Sequence, residues 1–119
     1  MLAYRHLFHA GGFSDVFKHA LLVRLLLHLN KKDKPYFYLD THAGIGLYDL
    51  QHEWPQKTKE FANGIAKAMV AERAPEELAP YVQCVRALNT QGSLRYYPGS
   101  PVVARQFLRE GDRMVLSEL

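Results

Sequence analysis

Thr41-His42-Ala43-Gly44-Ile45-Gly46-Leu47-Tyr48 follows directly on the aromatic run Tyr36-Phe37-Tyr38-Leu39-Asp40. A glycine-bearing loop at the carboxyl end of a strand lets the backbone approach a ligand closely, and open α/β sheets bind ligands at that end of their strands. Glu118, behind Asp112-Arg113-Met114-Val115-Leu116, stands where an acid ending the next strand would accept hydrogen bonds from ribose hydroxyls. Gly44, Gly46 and Glu118 together point to a nucleoside-containing ligand. The dinucleotide fingerprint G-x-G-x-x-G is not met, because Asp49 stands at its third glycine and no strand-ending acid lies about 20 residues on. Glu118 fills that role only if a segment is inserted between the loop and the second strand. A G-x-G by itself equally describes a plain turn. Asp40 before it and Glu118 after the next strand favour the ligand.

The charge pattern adds a second chemistry. Residues 1–35 hold six Lys/Arg against two Asp, while the other 84 residues hold nine against ten, so the net charge of +3 arises in the first third. His6, His9, His19 and His28 lie there too, interleaved with Tyr4, Phe8, Phe13 and Phe17. Cations neutralise phosphates and rings stack on unpaired bases, so this segment suits a nucleic acid. The alternative is a basic surface over a half-buried aromatic core. His6-x-x-His9 with His19 and His42 could form a metal site, but no cysteine cluster supports one, and these histidines are expected to be structural or ligand-contacting. The phosphate-loop pattern G-x-x-x-x-G-K-[ST] is absent. Cys84, the single cysteine, falls in a predicted helix without a histidine partner and is expected to be structural; such usage fits a reducing, cytoplasmic setting.

These groups need a frame. With 119 residues, 48% apolar and 23% charged, the chain has the composition of one small globular domain rather than a disordered or fibrous one. The apolar stretch 16–29 is broken by Lys18, His19, Arg24 and His28, so no membrane span is expected, and the N-terminus lacks the order of a signal peptide. Ser14 as N-cap and Asp15 in the first turn predict a helix over 14–30, apolar over most of its circumference and therefore largely buried. Residues 36–40 read as a buried strand, and 56–72 and 76–89 as two helices parted by Pro75. Ser100 as N-cap with Pro101 predicts a helix over 101–109 ending at Gly111, and 112–117 reads as a second strand. The simplest assembly is an α/β fold: one βαβ unit with a helical pair inserted at 51–97, between a first segment 1–50 and a last segment 98–119.

Three stretches make the pattern recognisable: Tyr4-Arg5-His6-x-Phe8-His9-Ala10-Gly11, Asp15-Val16-Phe17-Lys18-His19, and Tyr38-Leu39-Asp40-Thr41-His42-Ala43-Gly44-x-Gly46-x-Tyr48. Together with Tyr97-Pro98-Gly99-Ser100-Pro101 and Asp112-Arg113-Met114-x-Leu116-Ser117-Glu118-Leu119, they resemble the RlmJ family across the whole chain. Gly12 departs from the pattern, which would have asparagine there. The resemblance implies bacterial methyltransferases that modify the exocyclic amine of an adenine in large-subunit ribosomal RNA, as free RNA, with S-adenosylmethionine. It also implies a Rossmann-like methyltransferase fold with a helical insertion after the first strand. On matching positions Lys18, His19, His42, Ser100 and Glu118 would line the cofactor pocket beside Gly44 and Gly46, while Tyr4 and His6 would face the target adenosine. Asp40 would be structural, accepting backbone N–H bonds from the loop.

Enzymes similar to this one hold the amine with an Asp-Pro-Pro-Tyr segment, and none of the six prolines here are adjacent. Two strands are also too few for a full sheet. The chain is therefore expected to represent the N-terminal part of such an enzyme, with catalytic residues beyond Leu119, and to be inactive alone. A non-catalytic RNA-binding module, or a truncated remnant, is the alternative.

Overall fold

The computed structural model describes residues 6–71 and 75–118; Tyr4 and the predicted end of helix 56–72 lie outside them. A 3-10 turn, His6–Phe8, leads into helix α1, Phe13–Asn30. Its N-cap is the extended Gly12 and not Ser14, which sits inside the helix. Asp15, in the first turn, reaches back past the cap, its carboxylate accepting the Gly11 N–H at 3.0 Å.

The expectation that α1 is largely buried holds for one face only. Asp15, His19, Val23 and Leu26 are buried, whereas Phe13, Phe17, Leu21 and Leu25, spaced four apart, are each more than half exposed. An apolar circumference states what a helix could bury. The elements packed on α1 come from the insertion and from the crossover helix, and they cover a single side.

Strands β1 (Phe37–Asp40) and β4 (Arg113–Leu116) pair in parallel, from Phe37 opposite Arg113 to Asp40 opposite Leu116. Asp112 starts this pair by accepting the Tyr36 N–H at 3.0 Å and the Arg109 N–H at 2.8 Å, while the Arg109 guanidinium binds the Lys34 carbonyl at 3.0 Å. Helix α6 supplies the crossover but spans Ser100–Arg105, shorter than expected, because the chain turns so that the Phe107 carbonyl accepts from Asn30 Nδ2 at 2.9 Å. Phe37, Leu39, Val115 and Leu116 on this sheet are exposed.

The second ladder is absent from the sequence reading. Leu47–Asp49 (β2) and Tyr96–Pro98 (β3) pair antiparallel, with Leu47 opposite Pro98. They close the inserted segment at its base. Within it the predicted helix 56–72 is broken into α2 (Glu53–Thr58), α3 (Glu60–Asn63) and α4 (Ile65–Val70). The breaks fall at Lys59, left-handed with φ 50°, and at Gly64. The predicted helix 76–89 appears as a 3-10 turn, Glu76–Leu78, followed by α5, Ala79–Ala87.

One core joins the insertion to the βαβ unit: Ile65, Tyr81, Val82, Cys84 and Val85 pack with Ala10, Val23, Tyr48, Leu50, Tyr97 and Val103. Cys84 is buried in it, as expected of a structural cysteine, and burial pushes its thiol up to about 11. Among the described residues no helix is long and apolar enough to cross a membrane.

The N-terminal segment is gripped where α4 begins. The Ile65 N–H donates to the Gly11 carbonyl at 2.8 Å, and a Cβ on Gly64 would stand 2.1 Å from that carbonyl oxygen. Backbone has to give for any side chain to fit. Gly64→Ala is expected to destabilise the fold by roughly 2 kcal/mol or more in urea unfolding. Gly111→Ala, whose Cβ would make ordinary 3.4 Å contact with Pro35, should cost far less.

Candidate functional site

A cavity of about 560 Å³ opens at the carboxyl ends of β1 and β4. Of the residues singled out from sequence, Lys18, His19, His42, Gly44, Ser100 and Glu118 line it, as does His6. They arrive from the first 3-10 turn, one turn of α1, the loop after β1, the start of α6 and the end of β4. Gly46 is not among the lining residues; its carbonyl accepts the Gly99 N–H at 2.8 Å, and a Cβ on it would meet Val102 at 3.2 Å. A smaller cavity of about 310 Å³ adjoins and shares Lys18, His19, His42 and Ser100 with it.

Asp40 organises the loop. Its Oδ1 accepts the His42 N–H at 3.1 Å, and its Oδ2 accepts the Tyr38 hydroxyl at 3.0 Å and the Ser100 hydroxyl in a short contact. Burial raises this carboxyl, but the bonds from Ser100, His42 and Tyr38 outweigh it and hold Asp40 below the usual carboxylate range. Tyr38 is pushed up to about 12 by burial and by that carboxylate. Ser100 therefore does not cap its helix, whose N-cap is Gly99, but bolts α6 to β1. The side chain of His42 meets Thr41 Oγ1 at 2.9 Å, so the residue orients Asp40 through its backbone and leaves its ring in the cavity wall.

Gly44 has φ +63°, and a Cβ there would lie 2.8 Å from the Tyr48 hydroxyl and 3.6 Å from Glu118 Oε2. The left-handed turn and the close approach both require glycine. The Ala43 N–H donates to the Ser117 carbonyl at 3.1 Å, tying the loop to the end of β4 beside Glu118.

The wall facing the loop is α1. Asp15, 1% exposed, accepts from His6 Nε2 at 2.7 Å and from the Gly11 N–H, with Lys18 Nζ 3.9 Å away. Burial would raise its carboxyl, but His6, the field of His19 and the Gly11 amide prevail and lower it. One turn on, His19 is also buried, and its Nδ1 meets the Tyr97 hydroxyl at 2.7 Å. Burial drives it down to about 4 despite the pull of Asp15. At the rim Phe8 stacks on Trp54 of α2, centroids 5.0 Å apart, and His6 meets the Tyr48 ring edge-on. Asp15, Tyr48, Trp54 and Tyr97 were not singled out from sequence. For Asp15 the signal was present in its place in the first turn of α1; for the others the partners are tens of residues away. Among the described residues no group of three or more His, Cys, Asp or Glu could hold a metal ion.

Residues 33–119 match the family model described as Ribosomal RNA large subunit methyltransferase D, RlmJ. The chain belongs to the RlmJ family. The resemblance carried by the Asp40 to Tyr48 loop and the strand before Glu118 is thereby borne out. Two curated relatives, each named Ribosomal RNA large subunit methyltransferase J, come from Escherichia coli (strain K12), 49% identical over 119 residues, and from Haemophilus influenzae, 46% identical over 120. The chain spans 42% and 43% of their lengths. The crystal structure of protein LPL1258 from Legionella pneumophila superposes with a TM-score of 0.86 at 45% identity, over 93% of this chain and 40% of that one. The mixed α/β arrangement described above is thus shared by this RlmJ-family chain and a solved structure.

Lowered pKa values in this wall make stability depend on pH. As pH falls from 6.5 toward 4 the unfolded chain protonates His19 while the folded chain does not, so folding weakens across that window. Asp15 and Asp40, both lowered, hold their contribution above the ordinary carboxylate range and lose it as pH falls through that range. Urea midpoints should therefore drop between pH 6.5 and 4, His19 accounting for about 3 kcal/mol. In His19→Gln the slope over that interval should flatten.

Proposed function

We propose that the protein takes part in S-adenosylmethionine-dependent methylation of the exocyclic amine of an adenine in large-subunit ribosomal RNA, and that this chain supplies the cofactor pocket and one side of the target site. The observation that carries this reading is convergence: seven residues from five parts of the chain meet around one cavity at the carboxyl ends of parallel strands. The β1–α6–β4 crossover with its inserted helices fits a Rossmann-like methyltransferase fold. The names of the relatives, ribosomal RNA large subunit methyltransferase J, support the reaction and the RNA partner.

The residues present fit the cofactor. A volume of about 560 Å³ suits a nucleoside-sized ligand, and the lack of a Cβ at Gly44 lets the loop pack against the Tyr48 hydroxyl beside Glu118, in the cavity wall. When bound, S-adenosylmethionine supplies a sulfonium methyl group for direct transfer. Glu118 accepts hydrogen bonds from the ribose hydroxyls. His19, uncharged near neutral pH, and Ser100, fixed by Asp40, offer polar contacts without net charge, while His42 and Lys18 border the mouth. His6, oriented by the buried Asp15, faces the target adenosine together with Tyr4.

An adenine amine is a weak nucleophile, its lone pair being delocalised into the ring, so acceleration comes from orienting both reactants. The groups that hold the amine are assigned to the part of the relatives' length that this chain does not span. The exposed cations Lys18, Arg24, Lys31, Lys32 and Lys34 suit the phosphates of free ribosomal RNA, and a cytoplasmic location follows from that substrate.

Two measurements test this reading on the full-length protein. Glu118→Ala should weaken S-adenosylmethionine binding by about tenfold in calorimetry, the worth of one or two hydrogen bonds; an unchanged Kd removes Glu118 from the site. Affinity for a large-subunit RNA oligonucleotide should fall linearly in log salt, and replacing Lys31, Lys32 and Lys34 with alanine should lower that slope by roughly two. A salt-independent affinity rejects the basic segment as an RNA contact.

A further inference from the structure

Behind the cavity wall a chain of buried hydroxyls runs from the insertion to α1. Tyr81 of α5 and Tyr97 of β3 are both fully buried, and their hydroxyls meet at 3.0 Å. The Tyr97 hydroxyl also lies 2.7 Å from Nδ1 of His19. A hydroxyl has one proton and two lone pairs, and a neutral imidazole has one N–H and one bare nitrogen. Those inventories fix where the protons stand.

Among the described residues the Tyr81 hydroxyl has Tyr97 as its hydrogen-bond partner and no other. Were Tyr97 to donate to Tyr81, His19 would have to donate from Nδ1, and the Tyr81 proton would be buried without an acceptor, which is the costly arrangement. With Tyr81 donating to Tyr97 and Tyr97 donating to Nδ1, every proton in the chain is satisfied. The proton of the neutral ring then stands on Nε2.

We propose that Tyr97, backed by Tyr81, is a positioning residue that fixes the tautomer of His19, so that the buried ring offers Nε2–H to a hydrogen-bond acceptor of the ligand. Neither tyrosine lines the cavity, so both act through His19. Burial supports the arrangement by keeping the ring uncharged at neutral pH. An acceptor atom is thereby favoured over a hydroxyl or amino hydrogen at that point of the ligand, and the inserted segment gains a part in selecting it. The proposal rests on the cavity being the S-adenosylmethionine site.

The test is a long-range proton–nitrogen spectrum of the full-length protein labelled with nitrogen-15 histidine, at pH 7 and without ligand, His19 being assigned by its loss in His19→Gln. The wild type should show a single neutral tautomer protonated at Nε2. Tyr97→Phe should shift the Nδ1 resonance and raise KM for S-adenosylmethionine about tenfold with kcat within about twofold, the loss of one hydrogen bond that holds the ring. Tyr81→Phe should keep the tautomer and move KM about twofold at most. A wild-type ring protonated at Nδ1 or at both nitrogens overturns the proposal, and so does Tyr97→Phe with both resonance and KM unmoved. The wild-type spectrum decides even if Tyr97→Phe does not fold. Absence of S-adenosylmethionine binding by the wild type in calorimetry, with the Nε2–H tautomer present, would sink the cofactor assignment and leave the proton arrangement standing.

Discussion

The carboxylate of Asp40 holds together the end of β1, the loop that follows it and the start of α6. It ends β1, takes hydroxyl protons from Tyr38 on the same strand and Ser100 at the start of α6, and takes the amide of His42 in the loop. Its own backbone carbonyl receives the Ser117 N–H at 2.8 Å, so the end of β4 is fastened at the same point. Hydrogen bonds to an ionised acceptor are stronger than neutral ones, and three of them converge here. The loop bearing Gly44 and the helix bearing Ser100 take their hold on β1 from this carboxylate, while backbone bonds carry the strand end bearing Glu118. A neutral side chain at residue 40 would weaken the first two and leave the third in place.

The opposite wall is built on the buried face of α1, where two ionisable groups sit one turn apart. Asp15 and His19 occupy the end of that face next to the cavity, and Val23 and Leu26 continue it into the apolar core. Polar atoms in such a place have to be paired, and here they are: Asp15 with His6 and Gly11, His19 with Tyr97. Each pairing crosses between segments, so the N-terminal turn, α1 and β3 are held in one register. Geometry at the cavity thereby depends on side chains deep inside the insertion.

The parts of this arrangement legible in the sequence were those with local signals. Strands β1 and β4 stood out because aromatic or aliphatic runs are bounded by Pro35, the glycine loop and Gly111, and α1 because its apolar run is long. Strands β2 and β3 have three residues each, too short for alternation to show. The break at Lys59 could not be read either, since a lysine in the left-handed region announces nothing in sequence. Ser100 next to Pro101 has the pattern of a cap, but its hydroxyl finds a stronger acceptor in Asp40, 60 positions away. Gly44 and Glu118 could be argued from loop chemistry; Lys18, His19 and His42 came through family resemblance, because their meeting depends on tertiary contacts. Gly46 shares the loop with Gly44, and spacing alone could not tell a glycine that lines the cavity from one that packs toward Val102 of α6.

The parallel pairing of β1 with β4 joins residues about as far apart as Tyr36 and Asp112, which are separated by 76 positions. Contacts of such long range close large loops and form slowly, whereas the helix pairs within the insertion close short ones. During synthesis the N-terminal turn, α1 and the inserted helices can therefore meet before β4 has left the ribosome. Lys18 and His42 must wait for Ser100 and Glu118, so the cavity is among the last features to be assembled. An interrupted chain of this kind would have most of its core but only one side of the cavity.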